Sequence, residues 1–179
     1  FPFCTIDPNV GVVPVPDLRL AKLAAIAKSE KILPTTVEFV DIAGLVAGAS
    51  KGEGLGNKFL AHIRETDAIA HVVRCFVNDD VVHVAGRIDP LADIDVINTE
   101  LGLADLDTVE RGLRRAEKAS KAGDKDAMRQ FELLKRMQVH LDAGKPARTL
   151  QMDPTERPLL HELHLITLKP LMYVANVAE

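Results

Sequence analysis

The chain has 179 residues, of which 47% are hydrophobic, 27% charged and 4% aromatic, with no Trp and a net charge of −4. That length supports one good core, or a core with a smaller appendage, and the composition is that of a soluble globular protein in which no apolar run approaches the roughly 20 residues that cross a bilayer. The scarcity of aromatics argues against stacking platforms for single-stranded nucleic acid, and the acidic balance gives no overall attraction to RNA or DNA.

The opening FPFCTIDPNV lacks the basic and apolar regions of a signal peptide and reads as the middle of a domain. Cys4 and Cys75 form no CxxC pair and accompany no histidine cluster, the pattern of reduced intracellular thiols. The β-branched run VGVVPV, residues 10–15, lies between Pro8 and Pro16 and predicts a short strand, with Pro14 favouring a sheet edge. Asp17 can cap a short amphipathic helix over LRLAKLAAIAKS, where Leu20, Leu23, Ala24 and Ala27 recur at helical spacing. A second strand is expected over residues 35–40. After a glycine-rich segment, GNKFLAHIRETD reads as a helix with Phe59, Leu60 and Ile63 on one face. AIAHVVRCF, residues 68–76, has the near-continuous apolar character of a strand buried on both faces. Strand, loop, helix, strand is a βαβ unit, and the fold class that follows is α/β.

Beyond Pro90 the pattern changes. Residues 93–122 contain no Pro and two glycines, and Ile94, Ile97, Leu101, Ala104, Val109 and Leu113 keep a three/four spacing that predicts a long amphipathic helix. After a turn at residues 122–124, KDAMRQFELLKRMQVHLDAG supplies a second helix with a stripe of Met128, Phe131, Leu134, Met137 and Leu141, ended by Gly144 and Pro146. Two long helices joined by so short a turn make an antiparallel hairpin, inserted between strands of the sheet. A third helical stretch over residues 158–165 leads into LMYVANV, a buried-strand pattern ending at Asn176.

The chemistry concentrates in DIAGLVAGASKGEGLGNKFL, residues 41–60. A loop that wraps a phosphate chain needs GxxxxGK[ST], with glycines to present consecutive amides, Lys for charge and Ser or Thr for magnesium. This stretch lacks it, and the chain's one Gly-Lys pair, Gly144-Lys145, is followed by Pro146. What stands here is DxxG, from Asp41 to Gly44, at the tip of the second strand. An Asp so placed can hold magnesium through water, and a Gly amide can bond a γ-phosphate without a side chain in the way. DxxG alone is a weak pattern. Asp41 could equally cap a turn, and Gly48, Gly52, Gly54 and Gly56 need no ligand, since they let a loop change φ freely.

Four longer motifs sharpen the reading. FPFCTIDPNVGVV, DIAGLVAGASKGEGLGNKFL, ETDAIAHVVRCF and LKPLMYVANVAE closely resemble the YchF branch of the Obg-related P-loop NTPases, the ribosome-binding or Obg-like ATPases, and the resemblance runs over essentially the whole chain. It implies a magnesium-dependent hydrolase of ATP, or of GTP, that is cytoplasmic and binds the ribosome or ribosomal RNA, with neither DNA nor a membrane as partner. It divides the chain into part of a G domain at residues 1–92, an inserted helical hairpin at 93–166 and a returning G-domain strand at 167–179. Thr5 and Asp41 match magnesium ligands, and Gly44 matches the γ-phosphate contact. Leu45 stands where many GTPases carry a water-orienting Gln; a leucine can orient no water, and His83 matches a histidine thought to assist instead. Asn176 and Glu179 match an NxxE variant of the base-reading motif that is associated with ATP. The same resemblance places the family's phosphate loop before Phe1 and a TGS domain after Glu179, so a fragment that hydrolyses nothing alone is expected. Taken singly, Thr5 reads as a turn cap, Leu45 as a sheet-packing residue, His83 as a loop histidine and Glu179 as a solvated carboxylate.

The first helix of the hairpin adds Arg111, Arg114, Arg115, Lys118 and Lys121 in a three/four rhythm, and residues 111–136 hold nine Lys/Arg against four Asp/Glu. A basic face on a hairpin suits a phosphate backbone such as ribosomal RNA, although such runs are usually solvated helix faces. Two further readings stay open: an Obg-type GTPase acting in ribosome assembly, and a non-catalytic helical interaction module.

Overall fold

The structure, a computed structural model, describes residues 9–42, 56–78, 86 and 88–178. They fall into two compact units, one ending and the other beginning within the glycine-rich segment.

In the first unit, β1 (Asn9–Pro14) and β2 (Thr36–Asp41) pair antiparallel, from Asn9 opposite Asp41 to Pro14 opposite Thr36. The Val15 amide extends the ladder to the Thr35 carbonyl at 2.8 Å. Among the described residues β1 has no second neighbour, so the missing N–H of Pro14 costs no ladder bond. Between the strands runs α1 (Leu18–Ala27), capped as expected by Asp17, whose side chain accepts from the Arg19 amide at 2.9 Å. It ends at Lys28 in the left-handed region, φ 51°.

In the second unit, α2 (Gly56–Glu65) buries Phe59, Leu60 and Ile63, the face read from its periodicity. β3 (Ile69–Arg74) pairs parallel with β4 (Leu171–Asn176), with Ile69 beside Leu171 and Arg74 beside Asn176. Among the described residues the parallel pair is β3 with β4, and its crossover contains the whole helical hairpin. Neither strand is buried on both faces, contrary to their apolar sequences. Val73 is buried while Val72 is 62% exposed, and in β4 Met172, Tyr173 and Val174 are exposed. The reason is geometric: successive side chains point to opposite faces, and in β3 only the face of Ile69, His71 and Val73 is covered.

The hairpin is α3 (Pro90–Lys121) and α4 (Lys125–Asp142), packed against each other over most of α4's length. Asp89 caps α3 with Pro90 in its first turn, and Asp124 caps α4 by accepting from the Asp126 and Ala127 amides. Gly123, φ 86°, makes the turn between them. Val109, Ala116, Leu133, Leu134, Met137 and Leu141 form the core, joined by Ala147, Leu160, Leu163 and Leu165 from the return segment. Met128, placed on the buried stripe by its spacing, is half exposed, and Leu133 takes the central position instead. Gly112 sits in mid-helix because a Cβ there would meet Leu134 Cδ1 at 3.2 Å and Leu163 Cδ2 at 3.3 Å. The return path is three 3-10 turns, Ala147–Thr149, Arg157–Leu163 and Ile166–Leu168, so the third helical stretch is a 3-10 rather than an α-helix.

Candidate functional site

Asp41 is the last residue of β2, exposed, and its carboxylate makes no hydrogen bond or ion pair among the described residues. A free hard-oxygen donor at a strand end fits a hydrated magnesium ion. Among the described residues no group of three or more His, Cys, Asp or Glu could enclose a metal by itself, so any ion at Asp41 would need donors from elsewhere, such as phosphate oxygens. Thr5, Gly44, Leu45, His83 and Glu179 lie outside the described residues.

Asn176 is the last residue of β4 and stands beside Arg74 at the carboxyl end of the parallel pair. In open α/β sheets this is the edge where ligands bind. Its backbone carbonyl accepts from the Cys75 amide at 2.7 Å, which pins its position, while its carboxamide is exposed and engages no partner among the described residues. The chain leaving β3 is held by Arg74, which donates to the Phe76 and Asn78 carbonyls and lies 4.7 Å over the Phe76 ring. Cys75 is an exposed free thiol. One face over, His71 and Tyr173 meet at 5.6 Å between ring centroids, and Asn98 of α3 donates to the Tyr173 hydroxyl. Burial pulls the His71 imidazole below its ordinary range against the opposing charge of Asp93, and its Nδ1 has no hydrogen-bond partner among the described residues.

The five basic residues of α3 share one exposed face but differ in freedom. Arg111 pairs with Asp107 at 2.8 Å and Lys121 with Glu117 at 2.7 Å. Arg114, Arg115 and Lys118 are exposed, and none has an ion pair among the described residues. Three cations unpaired among the described residues are what an external polyanion could engage.

Sequence reasoning overlooked a polar brace at the root of the hairpin. Asp105 of α3 is fully buried, and it accepts from the Ile166 amide at 2.8 Å and from the Thr167 amide and hydroxyl at 2.7 Å each. Burial pushes its carboxyl above the usual range, against the pull of these donors and of Arg64. The Thr167 hydroxyl in turn accepts from the Ala147 amide at 2.9 Å. The available signal was positional: Leu101, Ala104, Asp105, Thr108, Val109 and Gly112 share one helical stripe, so an acid there had to be buried and satisfied.

The fold is thus α/β with an antiparallel helical hairpin in a parallel crossover, and its strand ends present an acid and an amide to solvent. A family model described as 50S ribosome-binding GTPase matches residues 1–111, and the chain belongs to this family. Over all 179 residues it is 62% identical to a protein named ribosome-binding ATPase YchF from Haemophilus influenzae, and 54% identical to its namesake from Bacillus subtilis. In both cases the match takes in 49% of the relative, so the chain spans about half the length of the curated proteins it resembles. A solved structure of the Schizosaccharomyces pombe YchF GTPase superposes with a TM-score of 0.76 at 35% identity, covering all of this chain and 49% of that one.

Proposed function

We propose that this chain is the nucleotide-sensing and ribosome-contacting part of a cytoplasmic, magnesium-dependent nucleoside triphosphatase that prefers ATP to GTP. The observation that carries the proposal is that Asp41 and Asn176, the two motif residues among those described, each end a strand with an exposed side chain that has no partner among the described residues. Binding groups spent on internal hydrogen bonds would be unavailable to a ligand; these are not. The relatives' names, ribosome-binding ATPase, support both the nucleotide and the partner.

In this reading Asp41 and Thr5 hold magnesium, Gly44 offers its amide to the γ-phosphate, and Asn176 with Glu179 reads the base. A magnesium ion, when bound, would offset the phosphate charge. His83 orients water in place of the Gln that Leu45 replaces. Residues 1–92 and 167–179 belong to the G domain, and residues 93–166 form the inserted hairpin. Arg114, Arg115 and Lys118 lie free to meet ribosomal RNA, while Arg111 and Lys121 join them only by loosening their carboxylate partners.

The test is equilibrium nucleotide titration of the complete protein, together with co-sedimentation on purified ribosomes. ATP is expected to bind more tightly than GTP, and tighter GTP binding overturns the base assignment in favour of an Obg-type GTPase. Reversing Arg114, Arg115 and Lys118 to Glu is expected to weaken co-sedimentation at least tenfold and to flatten its salt dependence. Unchanged sedimentation removes the basic stripe from the interface.

A further inference from the structure

Lys169, two residues ahead of β4, reaches the C-terminal turn of α2. Its ammonium donates to the carbonyls of Ile63 at 2.9 Å, Arg64 at 2.7 Å and Thr66. An ammonium has three N–H donors, and all three are taken here by carbonyls at and just beyond the C-terminus of α2, the negative end of its dipole; the Ile63 carbonyl also accepts from the Thr66 amide and hydroxyl.

The segment just before Lys169, Ile166–Leu168, is the one Asp105 grips from α3. From the opposite side Arg64, in the same last turn of α2, reaches the Ala104 carbonyl and the Thr108 hydroxyl of α3, each at 3.4 Å. A closed circuit results: α2 to Lys169, through Ile166–Leu168 to Asp105 on α3, and back through Arg64 to α2. Three elements joined by the circuit adjoin proposed contacts. α2 follows directly on the glycine-rich segment, β4 runs from Lys169 to Asn176, and α3 continues into the basic stripe.

We propose that Lys169 is a positioning residue that couples nucleotide binding to ribosome binding, by locking the end of α2 to the root of the hairpin. The proposal rests on the nucleotide-switch reading above. Its physical content is that three convergent carbonyls hold one ammonium only in one register of α2. A displacement of α2 along its axis by a fraction of its 5.4 Å pitch breaks the set and leaves the partly buried ammonium without its carbonyls. In the proposal, the making and breaking of this contact is the element that couples the two sites. An Arg could not replace it, since a planar fork does not match three carbonyls around one point.

The experiment measures the affinity of the complete protein for purified ribosomes with and without a non-hydrolysable ATP analogue, and its affinity for that analogue with and without ribosomes. The ratio is the coupling factor, and by thermodynamic reciprocity both routes give the same number. Lys169→Met is expected to leave ATP affinity without ribosomes and ribosome affinity without nucleotide within twofold of the parent, while the coupling factor falls at least fivefold towards one. Leu133→Ala, which weakens the hairpin core without touching the brace, is expected to keep the parental factor. If Lys169→Met does not fold, Lys169→Gln, which keeps two donors but no charge, is expected to lower the factor at least threefold. A parental factor in the folded Lys169 variant, or an equal loss in Leu133→Ala, overturns the role of Lys169 alone. A factor of one in the parent protein overturns the nucleotide-switch reading and this proposal with it.

Discussion

The hairpin and the β1–α1–β2 unit are both built from neighbouring stretches of chain, yet they bury their side chains very differently. In the hairpin, Val109, Leu133, Leu134 and Met137 are wholly buried. In the β unit, no residue of α1 is buried; Leu18 is 89% and Ile26 81% exposed, and both strands are exposed nearly throughout. Two apolar stripes at a 3.6-residue period close a core as soon as they face each other, whereas two strands and a short helix bury too little to do so. Among the described residues, close packing is concentrated in the hairpin and the return segment on it, while two of the strands end in the exposed Asp41 and Asn176.

The largest expected effect tests that contrast directly. Leu133→Ala should cost about 2–5 kcal/mol in chemical denaturation monitored by far-ultraviolet circular dichroism. Val12→Ala, on exposed β1, should change stability by no more than about 0.5 kcal/mol. Equal effects would erase the distinction between the two regions. Next comes the brace: Asp105→Ala strands two amides and a hydroxyl in a buried site, and should cost about 1–3 kcal/mol with heightened hydrogen exchange at Ile166 and Thr167.

The smallest effect concerns the sheet. Because burial lowers the folded-state affinity of His71 for a proton, the unfolded chain binds more protons than the folded one just below the ordinary value of 6.5. Stability from this group is therefore complete above that value and declines as pH falls through it. The melting temperature should be lower at pH 5.5 than at pH 7.5, and His71→Phe should narrow that difference. An unchanged difference would show that other groups set it.

Much of this was legible in the primary structure. The Asp17 cap, the face of α2, the span of α3 and the turn at Gly123 follow from local rules of capping, period and φ. The strand ends at Asp41 and Asn176 were legible too, because the residue that ends a strand is marked by where the apolar run stops. The partners of the strands were not. β3 and β4 read as strands buried on both faces, but burial depends on what covers each face, and their apolar runs say nothing of that. Met128 and Leu133 exchanged expected roles for a related reason: a stripe tells which residues share a face, and only the partner helix decides where its centre falls.

Residue types and short spacings suffice for the family, the α/β class, the helical hairpin and the basic rhythm along α3. The pairing of β3 with β4, and the circuit that Lys169, Asp105 and Arg64 close around the root of the hairpin, emerge only in the folded chain. Those contacts join residues about 40 to 106 positions apart, and a lysine near a strand or an acid in a helix carries no mark of the distant carbonyl or amide it will meet. Hydrogen-bond capacity is written in each side chain, but its satisfaction is a property of the folded whole.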